Sequence, residues 1–278
     1  MDYMHPFTFN GVRSLIGAAG ILVYILISRK IAGDKAAKLD WKLNVRAGLL
    51  CGIFLTTAST LQQFGIKYTS VGKAGFITTL YIIFVPMFGI FLKKKVAPVV
   101  WAAAGMAAVG MYLLCMTESL RLGAGDIMVF LCAIAFAIQI MTVDHYAARI
   151  DGAVVSCIQF TVCGVVCCIG ALIWGQPTFG QLQDGLGALL YAGVLSCGVG
   201  YTLQIVGQKG LNPTVAALIM SLESVIATIS GWIAYKIGFL STDQTLTPRQ
   251  IAGCVIVFAA VILVQLPPEW FRFGKKNA

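Results

Sequence analysis

Charge is what this chain has least of. Of 278 residues, 11% are charged and only 2 are histidine, where soluble domains carry about 25% charged residues. Neither HExxH nor GxSxG occurs, and His5 and His145 lie at the edges of apolar segments, so metal-dependent and serine hydrolysis lack their motifs. The apolar runs are continuous, with no in-out alternation, which argues against strands and against a lipid-facing barrel. The opening MDYMHPFTFNGVRSL has no basic, cleavable leader, and Pro6 is placed to start a helix. No cysteine pair stands in a loop: Cys51, Cys115, Cys132, Cys157, Cys163, Cys167, Cys168, Cys197 and Cys254 all fall within apolar runs. They read as small core residues, with neither a disulfide framework nor a metal site expected, and no cofactor is expected either.

What fills the chain is apolar: 59% of it. Runs of spanning length lie at Phe7–Ile27, Val45–Ile66, Val71–Leu92, Val99–Met116, Ile127–Val143, Val154–Trp174, Gly187–Val206, Pro213–Ile233 and Ile251–Leu266, so the fold class expected is all-α, a polytopic transmembrane bundle of about nine helices. The loops are short, and neither Arg29–Lys42 nor Lys236–Arg249 carries a pattern that would build a soluble domain. Glycines such as Gly105, Gly110, Gly193, Gly198 and Gly200 are spaced for close helix crossings.

The net charge of +9 sits in membrane-flanking loops, so it sets orientation and implies no nucleic-acid partner. One side carries Arg29, Lys30, Lys35, Lys38, Lys42, Arg46, Lys93, Lys94, Lys95, Arg149, Lys209, Arg272, Lys275 and Lys276. The other carries Lys67, Lys73, Arg121, Lys236 and Arg249, with Arg13 inside a helix. The richer side is read as cytoplasmic, which places the C-terminus inside and the N-terminus outside.

Residues Leu61–Phe91 align without a gap to Leu203–Ile233, sharing Leu61/Leu203, Gln62/Gln204, Gly65/Gly207, Lys67/Lys209, Ala74/Ala216, Ile77/Ile219, Leu80/Leu222 and Gly89/Gly231. An odd number of crossings separates the copies, which makes them inverted across the membrane. The expected repeats are residues 1–118, with four helices, and 119–278, with five. An outside N-terminus and the uneven count together suggest a five-plus-five bundle lacking the helix that would match Ile127–Val143.

Function must come from the few polar side chains inside the spans. Glu223 lies near the middle of Pro213–Ile233, where a charge costs at least ~2.5–3.5 kcal/mol, so it is expected to face protein or water and to be paired or protonated. It could bind a cationic group, couple transport to a proton, or form a structural ion pair with Arg13. Asn10, Arg13, Gln62, Gln63, Thr79, Tyr81, Gln139, Gln159, Tyr201 and Gln204 complete the candidate substrate contacts. For any one of them a helix–helix hydrogen bond worth about 0.6–2 kcal/mol is an equal reading. Gly123-Ala124-Gly125-Asp126 matches the GxGD pattern of intramembrane aspartyl proteases, but no second membrane-embedded Asp exists, and Asp126 reads as the first-turn acid of a helix.

Taken in order, Gly125-Asp126 opening a helix, TVAA…SLES…GW over Thr214–Trp232, Pro248 with Gly253, and in the first half Val71–Pro86 and Pro98 with Gly105, the chain resembles the drug/metabolite transporter superfamily, in particular its EamA-type members. The resemblance covers nearly the whole chain. It implies a ten-helix inverted-repeat bundle with a central cavity that exports or exchanges small metabolites, amino acids or drug-like compounds. Two departures stand out: Ser224 where the family has Pro after the acid, and Lys93–Lys95 and Tyr235–Lys236 where it often has Glu. The expectation is a secondary active exporter of the inner membrane, monomer or homodimer, with a small-molecule substrate, a proton as coupling ion and the lipid bilayer as surroundings. The alternatives are a non-transporting fragment or scaffold subunit, and an intramembrane enzyme.

Overall fold

The computed structural model describes residues 4–33, 39–93, 96–116, 123–175, 178–238 and 245–266. Lys35, Lys38, Lys94, Lys95, Arg121, Arg272, Lys275 and Lys276 from the charge count, and the 118/119 repeat boundary, lie outside the described residues. Among the described residues there are no strands, and nine helices are long and apolar enough to cross a membrane: α1 Pro6–Ala32, α2 Trp41–Ile66, α3 Val71–Phe91, α4 Pro98–Cys115, α5 Ala124–Ala147, α6 Gly152–Gly175, α7 Leu186–Gly207, α8 Pro213–Lys236 and α9 Pro248–Gln265.

Several helices begin a few residues before the apolar run does, because polar caps rather than hydropathy fix their ends. Asp40 accepts from Leu43 N at the start of α2. Asn212 accepts from Thr214 N before Pro213 in α8. Thr247 and Gln250 form a reciprocal capping box around Pro248 in α9. Each such cap is worth about 1 kcal/mol. Asp126 has the role expected of it: its carboxylate accepts from Gly123 N at 2.7 Å and from the Thr69 hydroxyl at 2.6 Å. These contacts tie its carboxylate to the start of α5 and to Thr69.

Three helices depart from the uninterrupted α form that apolar runs suggest. In α3 the backbone tightens at Leu80, whose N–H reaches Ile77 O at 3.1 Å, shortly before Pro86 removes a donor from the ladder. Thr79 and Tyr81 flank this break. Wide π-type turns occupy Ala171–Gly175 at the end of α6 and Tyr191–Gly200 inside α7. Hydropathy is blind to such turns, which add a residue per turn without exposing more polar side chains. By contrast α8 runs as continuous α-helix through Ser224.

The helices form two compact units. The first comprises Met1–Thr69 with Gly123–Leu211, the second Ser70–Leu122 with Asn212–Ala278. The first unit packs α1 on α6 and α7, and α2 on α5 and α6, around a core of Ala47, Cys51, Val143, Tyr146, Val155 and Ile205. The second packs α4 on α9, with α3 and α8 alongside, around Met111, Leu114, Val225 and Val257.

Close crossings depend on selected glycines. A Cβ on Gly110 would lie 2.9 Å from Gly253 O and 2.7 Å from Val257 Cγ2, and one on Gly193 would lie 2.8 Å from Ile16 Cβ. The same test gives no close partner at the others: among the described residues a Cβ on Gly105 would meet nothing within 4 Å, and one on Gly198 or Gly200 only a carbonyl of its own helix. Spacing alone does not say which side of a helix meets a partner.

Candidate functional site

In the first unit, polar side chains on α1, α2 and α6 meet at one thiol. Ser14 Oγ donates to Cys163 Sγ at 3.4 Å, Ser59 Oγ lies 3.7 Å from the same sulfur, and Thr60 Oγ1 lies 3.7 Å from Cys167 Sγ. Residues four apart on a helix share a face, displaced by about 6 Å along it. Asn10 precedes Ser14 by that spacing, Gln63 follows Ser59, and Gln159 precedes Cys163. The helices therefore stack polar groups in levels along the membrane normal. With α1 running opposite to α2 and α6, Asn10 and Gln63 fall on one side of the Cys163 level and Gln159 on the other.

Beyond Gln159 the column continues through α5 and α7. Gln139 Nε2 donates to Gln159 Oε1 at 3.5 Å, and Gln204 Nε2 donates to Gln139 Oε1 at 3.4 Å. Thr202 Oγ1 donates to Ser156 Oγ at 2.9 Å, and Tyr201 packs edge-on against Phe160 at 5.3 Å.

These side chains are sealed and under-satisfied. Asn10, Gln139 and Gln159 are fully buried, and Gln63 is 4% exposed, yet among the described residues both polar atoms of the Asn10 amide, Gln63 Oε1, Gln159 Nε2 and Thr8 Oγ1 have no hydrogen-bond partner. A buried polar atom left unpaired costs about 1–3 kcal/mol. Several in one short column are a heavy cost unless something polar visits them. Arg13, one turn from Phe9, holds its guanidinium 5.2 Å from that ring, with Nε buried and unpaired.

The structure thus brings together Gln139, Gln159 and Gln204 directly, and aligns Asn10 and Gln63 with them. Gln62 sits beside Gln63 on α2, half-buried. Tyr201 lies against the column's edge. Ser14, Ser59 and Cys163 were missed as candidates, since small side chains in apolar runs read as packing. The i, i+4 pairs Asn10/Ser14 and Ser59/Gln63 were the available signal.

The remaining candidates belong to the second unit. Thr79 is buried and its hydroxyl is spent on Gly75 O at 2.7 Å, which leaves Tyr81 on the other side of the α3 break. On α8, Ala217, Leu218, Ser221 and Val225 are buried. Glu223 stands on the opposite, exposed stripe with Ile219, Ile226, Ala227 and Ser230. Arg13 and Glu223 fall in different units.

At the N-terminal end of α1, His5 caps the helix by accepting from Phe7 N at 3.4 Å and packs with Phe7, Phe64 and Trp174 into an aromatic cluster. Burial, then the nearby Lys67 ammonium, hold the His5 imidazole below its usual pKa of 6.5.

The chain matches the EamA-like transporter family over residues 1–116 and 123–266. It is 26% identical over 272 residues to an uncharacterized transporter of Archaeoglobus fulgidus, covering 96% of this chain and 79% of that protein. A solved crystal structure shares the fold with a TM-score of 0.74 at 16% identity, covering 96% of this chain and 90% of that one. Matched along nearly its whole length, the chain belongs to the EamA-like transporter family: it is a multi-pass membrane transporter.

Proposed function

We propose that the protein is a secondary active transporter that carries a small polar metabolite, an amino acid or a drug-like compound by alternating access, and that it works as an exporter of the inner membrane with its C-terminus in the cytoplasm. The observation that carries this reading is the set of unpaired amide atoms on Asn10, Gln63 and Gln159. A solute with donors and acceptors would supply the missing partners in transit. Hydrogen bonds to an uncharged lining bind without trapping, as a carrier requires.

Glu223 is the proposed coupling residue. A carboxylate in the middle of a spanning helix is tolerated only if water, a proton or a cationic group reaches it. The repeat reading draws support from the make-up of the units, because the aligned segments pair α2 with α7 in the first and α3 with α8 in the second. Inverted halves are a common basis for alternating access.

Counterflow in proteoliposomes with a panel of amino acids and amines tests the assignment. We expect exchange of at least one zwitterionic or amide-bearing solute by the wild type, and loss of its pH dependence in Glu223→Gln. If Glu223→Gln leaves both rate and pH profile unchanged, the coupling role is refuted. If no solute in a broad panel exchanges, the carrier reading fails.

A further inference from the structure

A groove of about 690 Å³ opens on the first unit between α1 and α7 and ends at the start of α6. It meets the edge of the polar column only at Thr202, whose hydroxyl is bonded to Ser156. Its floor is open because two positions have no side chain: a Cβ on Gly20 would meet nothing within 4 Å, and one on Gly198 only Gly193 O of its own helix at 3.4 Å. Apolar side chains, Ile21 and Ile25 of α1 with Val194 and Leu203 of α7, form its walls. From Gly20 to Arg29 the helix rises about 14 Å, which is half of a hydrocarbon core of about 30 Å and therefore the depth of one leaflet.

The shallow end of the groove is dipolar. Arg29 Nη2 lies 3.8 Å from Asp151 Oδ2, with side chains 36% and 43% exposed. That separation exceeds hydrogen-bond length, so both groups keep capacity for a ligand. Asp151 is held in place: Oδ1 accepts from Ala153 N at 3.0 Å and Val154 N at 3.3 Å, and its own N–H donates to Asn44 Oδ1 at 2.9 Å. Oδ2 is the oxygen turned to Arg29. Beside them the Ser28 hydroxyl donates to Ile25 O at 3.1 Å and keeps its lone pairs.

We propose that this groove seats one phospholipid with a zwitterionic amine headgroup, its phosphate on Arg29, its ammonium on Asp151 Oδ2 and one acyl chain along the Gly20–Gly198 floor. Charge complementarity selects this occupant. A singly anionic headgroup would satisfy Arg29 but bring no cation to Asp151. A primary ammonium donates hydrogen bonds to the carboxylate, which a trimethylated one cannot do.

The test is native mass spectrometry of the full-length protein titrated with phosphatidylethanolamine, phosphatidylglycerol and phosphatidylcholine. The wild type is expected to retain phosphatidylethanolamine about tenfold over phosphatidylglycerol, with phosphatidylcholine between. Asp151→Asn keeps the helix cap, since Asn caps as well as Asp, and is expected to erase that preference. Gly20→Leu puts a side chain on the floor at a position where a Cβ meets nothing within 4 Å among the described residues, and is expected to lose the retained lipid at unchanged thermal stability. Equal retention of the three lipids by the wild type overturns the proposal, as does unchanged selectivity in Asp151→Asn. A Gly20→Leu protein that keeps its lipid, or that loses a dimer instead, shows that the groove has another occupant and overturns it too.

Discussion

Replacing Asn10 by Leu separates a structural amide from one that waits for a solute. Asn10 is fully buried, and neither of its amide atoms has a partner among the described residues. If that is its resting condition, the fold bears a cost of about 1–3 kcal/mol for each unpaired atom. An apolar side chain of similar size removes that cost, so Asn10→Leu is expected to be neutral or stabilising. Taking about 2–4 °C per kcal/mol for a chain of this size, the melting temperature should stay level or rise by several degrees. Transport should move the other way. A solute group left unpaired at that level costs about 1–3 kcal/mol, a loss of roughly 5- to 150-fold in apparent affinity. Gln139→Leu is the control. Gln139 bonds both Gln159 and Gln204, so its loss removes two interhelical bonds at about 0.6 kcal/mol or more each and strands their partners. That variant should lower the melting temperature as well as transport. Thermal unfolding in detergent and counterflow in liposomes read the two quantities on the same preparations. An Asn10→Leu protein that melts as low as Gln139→Leu, or that transports normally, refutes the argument.

Two further outcomes follow from particular contacts. Gly110→Val should destabilise the α4–α9 crossing by several kcal/mol, because its Cβ alone would press on Gly253 O and Val257, an overpacked backbone contact; Gly105→Val, facing open space, should leave the unfolding temperature within a degree or two. Because His5 is harder to protonate in the fold than in the unfolded chain, its contribution to stability should fall as pH drops through 6.5 towards the lowered folded value; Lys67→Gln should move the NMR titration midpoint of His5 back up, and an unchanged midpoint would leave burial as the sole cause.

Much of the fold was legible in the sequence, because in a bilayer apolar length alone dictates the helices. All nine spans stand where the runs place them, and Pro6, Pro98, Pro213 and Pro248 each sit in a first turn. The ends shifted where Asp40 and Thr247 cap outside the apolar run. The wide turn at Tyr191–Gly200 left no trace in hydropathy. The site was legible by side-chain type but not by grouping. A Gln in an apolar helix announces itself, whereas Ser14, Ser59 and Cys163 join the column only because α1, α2 and α6 happen to meet there. Glu223 was legible as an anomaly; its place on an exposed stripe of α8 follows from which face meets the second unit's core, a fact that belongs to tertiary packing.

The most direct measurement of the column's role is thiol accessibility during turnover. In proteins carrying one cysteine each, Cys163 sits between the levels of Asn10 and Gln159, while Cys51 is buried in the apolar core beside Val143 and Val155. The account predicts that a water-soluble methanethiosulfonate labels the Cys163 protein in liposomes, that transported solute slows the labelling, and that the Cys51 protein stays unlabelled. Equal inertness of the two thiols under conditions where the protein transports would contradict it.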